Sequence, residues 1–148
     1  MTATNLFEDD ILDLIFTNVA APNVGDVGGL LPSATAGSWF ISLHTGAGVT
    51  DTSTLQTASE AAYTNYARQA VARSLAGWTV ASGVCTNDAI IGFPNSGSGP
   101  ETETTVGLGS ATSGAGNLQI YSALTANLVV NTGVTPQFAI SALAISVD

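Results

Sequence analysis

Lysine is absent from this chain, and arginine occurs only as Arg68 and Arg73. Charged residues of both signs reach 9%, where about 25% is usual for a soluble protein. The 11 acids therefore dominate, and the formal net charge is −9. A protein that binds nucleic acid must neutralise phosphates with a basic footprint, so nucleic acid is excluded as a partner. The same deficit counts against an anionic membrane surface. Cysteine is a single residue, Cys85, so no internal disulfide and no cysteine metal cluster can form. No apolar run reaches the roughly 18 residues that a membrane-spanning helix needs. The N-terminus leads into Glu8, Asp9 and Asp10, the reverse of a signal peptide's positive start, so synthesis in the cytoplasm is expected.

What is present is 45% apolar residues in 148, enough for one domain that buries roughly 70% of its unfolded surface. With so little charge, the surface must be built from Ser, Thr, Asn, Gly and Ala. Such a surface suits contact with other protein, or else forms a neutral, Thr-rich β surface on a free monomer.

Leu6 to Val19 reads as a helix, with Phe7, Ile11, Leu14 and Ile15 as its apolar stripe, widened by Leu12, Phe16 and Val19. Asn5 and Glu8 approximate a capping box, the acids Asp9, Asp10 and Asp13 are expected outward, and Pro22 is expected to stop the helix. Ala20 to Gly37 is a Gly/Pro-rich arm anchored only by Val24, Val27, Leu30 and Leu31. An ordered arm packed on a neighbour and a mobile linker are both open readings. From Ser38 onward short strands alternate with turns. The expected strands include Trp39–His44, Tyr66–Ala72, and Trp78–Ser82 with Val84–Asn87 across a Ser82-Gly83 reversal. Asp88–Phe93 continues the last of these. Thr104–Leu108, Leu118–Leu124, Asn127–Val130, Pro136–Ile140 and Ala142–Val147 follow. Turn-bounded strands at this spacing indicate a sandwich or barrel. The expected organisation is a helix and arm over residues 1–37 and a β-sandwich domain over 38–148.

Chemical motifs are sparse. His44 is the sole histidine, and no Gly-x-Ser-x-Gly elbow accompanies it, so a packed, hydrogen-bonded role is expected. Cys85 has no basic neighbour in sequence and reads as a buried small hydrophobe. Glu101 and Glu103, placed in a Gly/Ser/Pro loop, could hold Ca²⁺ or Mg²⁺ but read better as solvated charge. Gly107 to Thr112 matches neither phosphate-binding glycine pattern. Arg68 and Arg73, five apart on one expected strand, would point to opposite faces. Arg68 can pair bidentately with a carboxylate such as Glu60 or stack on a tyrosine, inside the chain or across a subunit boundary. Trp39 and Trp78 stand in apolar runs, as core residues do.

The N-terminal helix, the strand ending Leu43-His44-Thr45, the loop acid Glu60, the run Tyr63-x-x-Tyr66-Ala67-Arg68 and the C-terminal stretch from Ala139 to Asp148 carry a likeness. Together they make the chain resemble a family of small virion proteins of tailed bacteriophages, the capsid cement or decoration proteins, sometimes labelled tail-fibre-like. The likeness runs over nearly the whole chain. Its long arm and the tip between Pro94 and Thr105 depart from the family pattern. The resemblance implies a mainly β, jelly-roll-like antiparallel β-sandwich with a short N-terminal helix and an extended arm. It implies a homotrimer on the outer surface of an icosahedral capsid, binding the major capsid protein, with no enzyme activity, cofactor or metal. Contacts are then expected at Leu30, Leu31, Trp39, Tyr63, Tyr66, Arg68 and Arg73. The alternative is a tail-fibre or receptor-binding module. A depolymerase would need paired carboxylates in a cleft.

Overall fold

The computed structural model describes residues 2–22, 24–47 and 49–147. Among these are one α-helix, α1 (Asn5–Leu12), and nine strands. They are β1 (Ser38–Thr45), β2 (Gln69–Ala72), β3 (Trp78–Ala81), β4 (Val84–Asn87), β5 (Ile91–Gly92), β6 (Glu101–Gly109), β7 (Leu118–Val130), β8 (Gln137–Phe138) and β9 (Ala144–Ser146). The pairs β1–β6, β6–β7, β3–β4 and β4–β9 are all antiparallel. The protein is thus mainly β with antiparallel sheets and one short N-terminal helix, consistent with a β-sandwich. The chain divides into two compact units.

One unit comprises Met1–Ser38, Ala72–Ile90 and Phe138–Asp148. Its sheet has the order β3-β4-β9. Ser82 and Gly83 turn β3 into β4, both at positive φ (56° and 77°), which matches the twist of a two-residue hairpin. The helix α1 runs on into a π-helical turn, Asp13–Thr17. Thr4, and not Asn5, is the N-cap, and no side chain caps that end. The buried positions are Leu12 and Phe16, one turn apart, with Thr17 beside them, whereas Phe7 is exposed. The expected stripe is therefore rotated. The reason is Asp9, three before Leu12, whose Oδ1 accepts the Gly83 N–H at 2.7 Å and draws that side of the helix onto the hairpin. Phe16 meets Trp78 edge-on, with centroids 5.0 Å apart, and Cys85 is buried beside the strands that follow. Helical structure ends at Asn18, in the left-handed region at φ 58°, before Pro22 is reached.

The C-terminal segment of this unit is pinned by Asn87, which is fully buried. Its Nδ2 donates to the Ala89 and Ala139 carbonyls at 2.8 and 2.9 Å, and its Oδ1 accepts from Leu143 N–H at 2.9 Å. That side chain ends β4 at Asn87, so Asp88–Phe93 does not continue the strand. Ile91–Gly92 pairs instead with β8.

The second unit comprises Trp39–Val71 and Ile91–Gln137. Its main sheet has the order β2-β1-β6-β7. Central β1 is buried on both faces: Ile41 and Leu43 on one, Ser42 and His44 on the other. Beyond β2, the same edge of β1 is occupied by the loop strand around Glu60, through a bridge to His44 and the bond from Ala61 N to Leu43 O at 2.9 Å. Leu118–Leu124 and Asn127–Val130 are one strand, β7, interrupted by a wide bulge. Thr105 pairs with Ala123 and Glu103 with Leu128, so the single residue Thr104 faces Leu124–Asn127.

Candidate functional site

The acids placed by sequence in a loop lie on a strand. Glu101 and Glu103 open β6, two apart and therefore on one face. Glu103 is fully buried, and as a carboxylate neither of its oxygens meets a donor. Burial, and then the neighbouring charge of Glu101, push its carboxyl up to about 7, and the protonated form finds Glu101 as its acceptor. Glu101 Oε1 itself takes the Ala62 N–H at 2.7 Å. The buried hydroxyl of Tyr63 also lacks a hydrogen-bond partner. Burial and the charges of Glu103 and Glu101 push it up to about 12. Among the described residues no group of three or more His, Cys, Asp or Glu is placed to hold a metal ion.

Arg68 is the centre of a larger cluster. It does not lie on a strand: β2 begins one residue later, and Arg73 follows one residue after β2 ends. The two arginines are therefore not opposite faces of one strand. A turn through Asn65, at φ 79°, delivers Tyr66 and Arg68 inward. Arg68 forms the bidentate pair with Glu60, Nε to Oε1 at 2.6 Å and Nη2 to Oε2 at 2.7 Å. Its remaining donors reach Gln56 Oε1 at 3.3 Å, Ala111 O at 3.0 Å and Gly114 O at 2.8 Å. All five guanidinium N–H groups thus have acceptors. Tyr66 donates to Glu60 Oε1 at 3.1 Å and accepts the β1 amide of Leu43 at 3.0 Å. Burial, with Glu60 alongside, holds the Tyr66 hydroxyl well above its ordinary range.

Gln56 completes the circuit and is fully buried. Its Nε2 donates to Phe40 O at 3.0 Å, and its Oε1 also accepts from Ala111 N at 3.1 Å. Gly109 is where this amide passes over the sheet, since a Cβ there would land on the Gln56 side chain and the Asn117 carbonyl. Nothing in the polar run Val49–Ser59 marks Gln56 out by sequence. Glu103 did carry a signal: Glu-Thr-Glu-Thr-Thr-Val alternates and is β-branched, as a strand is.

Arg73 does different work, in the other unit. Its Nε donates to Ile15 O at 2.7 Å and its Nη2 to Leu14 O at 2.8 Å, carbonyls near the end of the helical segment. Positive charge there also complements the helix dipole. Nη1 reaches Ala36 O at 3.0 Å, at the far end of the arm. The arm is closed a second time by Asn18 and Ser33, joined by two 3.0 Å bonds. Residues 18–36 thus form a loop whose ends are tied together.

The remaining expected contact residues divide by burial. Trp39 and Tyr63 lie inside the chain with Arg68, Tyr66 and Arg73 are partly covered, and Leu30 and Leu31 are exposed at 42% and 79%. His44 is fully buried; its Nδ1 lies 2.8 Å from Ala58 O and its Nε2 2.9 Å from Ser42 Oγ. A carbonyl can only accept, so Nδ1 carries the proton and Nε2 accepts from the Ser42 hydroxyl. Burial lowers the His44 pKa and keeps the ring neutral. This serine–histidine pair has a nucleophilic catalyst's contacts but no opening to solvent.

The family match makes this chain a structural protein of a bacteriophage virion. The chain belongs to the family described as podophage GP4 fiber I protein gp80, whose family model matches residues 2–146. No curated protein matches the chain. The family is named for a fiber, so the resemblance to capsid cement proteins holds as far as the virion and no further.

Proposed function

We propose that this protein is a fibre component of a podophage particle and that its role is mechanical. The fibre reading replaces the capsid-cement reading, because the matching family is a fiber family over almost the full chain. The internal chemistry supports a mechanical role. Arg68, Glu60, Gln56 and Tyr66 tie loops to strand β1, Arg73 ties the arm to the helix end, and the serine–histidine pair is sealed in. Exposed Leu30 and Leu31 on the closed arm are the contact points offered to a neighbouring virion protein.

The experiment is cryo-electron microscopy of purified particles with antibody fragments raised against the recombinant chain. Labels on fibres attached to the tail are the expected result. Labels spread over the capsid lattice, with bare fibres, would restore the cement reading and overturn this one.

A further inference from the structure

Four buried side-chain polar atoms meet no hydrogen-bonding partner among the described residues: Trp78 Nε1, Tyr63 Oη and both carboxylate oxygens of Glu103. Three of the four belong to two side chains of one unit, Tyr63 at 3% exposure and Glu103 at 0%. Glu101 brings these two together. Its Oε1 takes the amide of Ala62, the residue before Tyr63, and it shares a face of β6 with Glu103. The Tyr63 hydroxyl feels the charge of Glu103 first and of Glu101 second. Orphaned buried polar groups are costly, a charged one most of all, so three in one place call for an explanation.

No side chain is left to neutralise them. Lysine is absent, and all five donors of Arg68 are occupied by Glu60, Gln56 and two loop carbonyls. Arg73 is engaged on the carbonyls of Leu14, Ile15 and Ala36. His44, on the neighbouring strand β1, is neutral and bonded to Ala58 and Ser42. From β7, the residues paired with Glu103 and Glu101 are Leu128 and Val130. Whatever balances the two carboxylates when both are ionised must therefore come from solution, and one divalent cation matches two negative charges.

The donor set selects the ion. Two carboxylates and a hydroxyl offer oxygen alone, which disfavours zinc and copper. Calcium takes about six to eight oxygens in an adaptable arrangement, accepts a carboxylate through both oxygens and lets water complete its shell. Magnesium demands a near-ideal octahedron and gives up its water reluctantly. Glu101 is only half-buried, which leaves the ion and its waters a way in.

We propose that Glu103, Glu101 and the Tyr63 hydroxyl form a calcium site, in which the ion joins the start of β6 to the loop at residues 61–63. Two acids and one hydroxyl make a weak site, of roughly millimolar affinity. The site does not depend on where the protein sits on the particle.

The test is urea unfolding of the chelator-treated full chain near pH 8, wild type against Glu103→Gln. Each is measured with about 10 mM CaCl2, and with MgCl2 or KCl at matched ionic strength. At about ten times the dissociation constant, calcium should raise the wild-type folding constant about tenfold above the KCl value. Glu103→Gln should respond to calcium no more than to KCl. A rise that KCl or MgCl2 reproduces, or that Glu103→Gln keeps, overturns the proposal, as does no rise at all. If the variant fails to fold, amide exchange of the wild type decides. Slowing by calcium at residues 62–63 and 101–103 supports the site, and slowing only elsewhere, or none, rejects it.

Discussion

Replacing Glu103 by Gln isolates a single buried charge, and the outcome depends on pH in a defined direction. The folded carboxyl titrates at about 7, against an ordinary value of 4.5. Below the unfolded value both states hold the proton, and Glu103 contributes nothing to the pH dependence. As pH rises from about 4.5, the unfolded chain loses its proton first while the folded chain keeps it, so stability falls. The fall is complete once pH has passed the folded value of about 7. A gap of about 2.5 units at about 1.36 kcal/mol each puts the loss at about 3 kcal/mol. Glutamine keeps the shape, still has a donor for Glu101, and cannot ionise. Glu103→Gln should therefore unfold at nearly the wild-type urea concentration near pH 4 and be more stable by up to about 3 kcal/mol near pH 8. Buried Trp39 and Trp78 supply the fluorescence signal. A stability difference that stays flat with pH would refute the reasoning. So would a Gln variant that loses more stability near pH 8 than near pH 4, since the charged form would then have a cationic partner.

Arg68→Ala should cost about 3–5 kcal/mol in chemical denaturation, because it strands the Glu60 carboxylate and the loop carbonyls. Arg68→Lys should recover little of this, since an ammonium cannot form the two-pronged bond. Arg73→Ala should release the Leu14, Ile15 and Ala36 carbonyls, cost about 2 kcal/mol, and speed limited proteolysis within residues 18–36. Gly109→Ala should lower the melting temperature or yield insoluble protein, with a loss of about 3 kcal/mol or more from the clash with Gln56. The Cys85 thiol, pushed up to about 12 by burial, should resist alkylation at neutral pH until denaturant unfolds the chain.

The sheet class, the Ser82-Gly83 hairpin and the Arg68–Glu60 pair were legible in the sequence for physical reasons. Strand alternation, the positive-φ demand of a two-residue turn, and the scarcity of cations left few alternatives. With only two arginines and two acids, Asp51 and Glu60, in the preceding loop, pairing of Arg68 with Glu60 was one of few options, beside a stack on a tyrosine. What escaped was set by tertiary contact. The helix stripe turned because Asp9 found a backbone donor on the hairpin, which no helical periodicity encodes. Gln56 is an ordinary loop amide until Phe40, Ala111 and Arg68 converge on it. The two acids of β6 read as solvated because a Gly/Ser/Pro tip precedes them, yet strand geometry carries Glu103 inside.

Committing both guanidinium groups to internal acceptors leaves the outside of the protein with one sign of charge. At low ionic strength identical copies carrying −9 repel over tens of ångströms, whereas at about 0.1 M salt the screening length is near 10 Å. Salt should then act as the ligand of assembly, favouring association of copies by weakening repulsion without touching a single contact. A phage particle passing from a dilute medium to a saline one would find copies of this protein held more tightly, the opposite of what salt does to a protein held on nucleic acid.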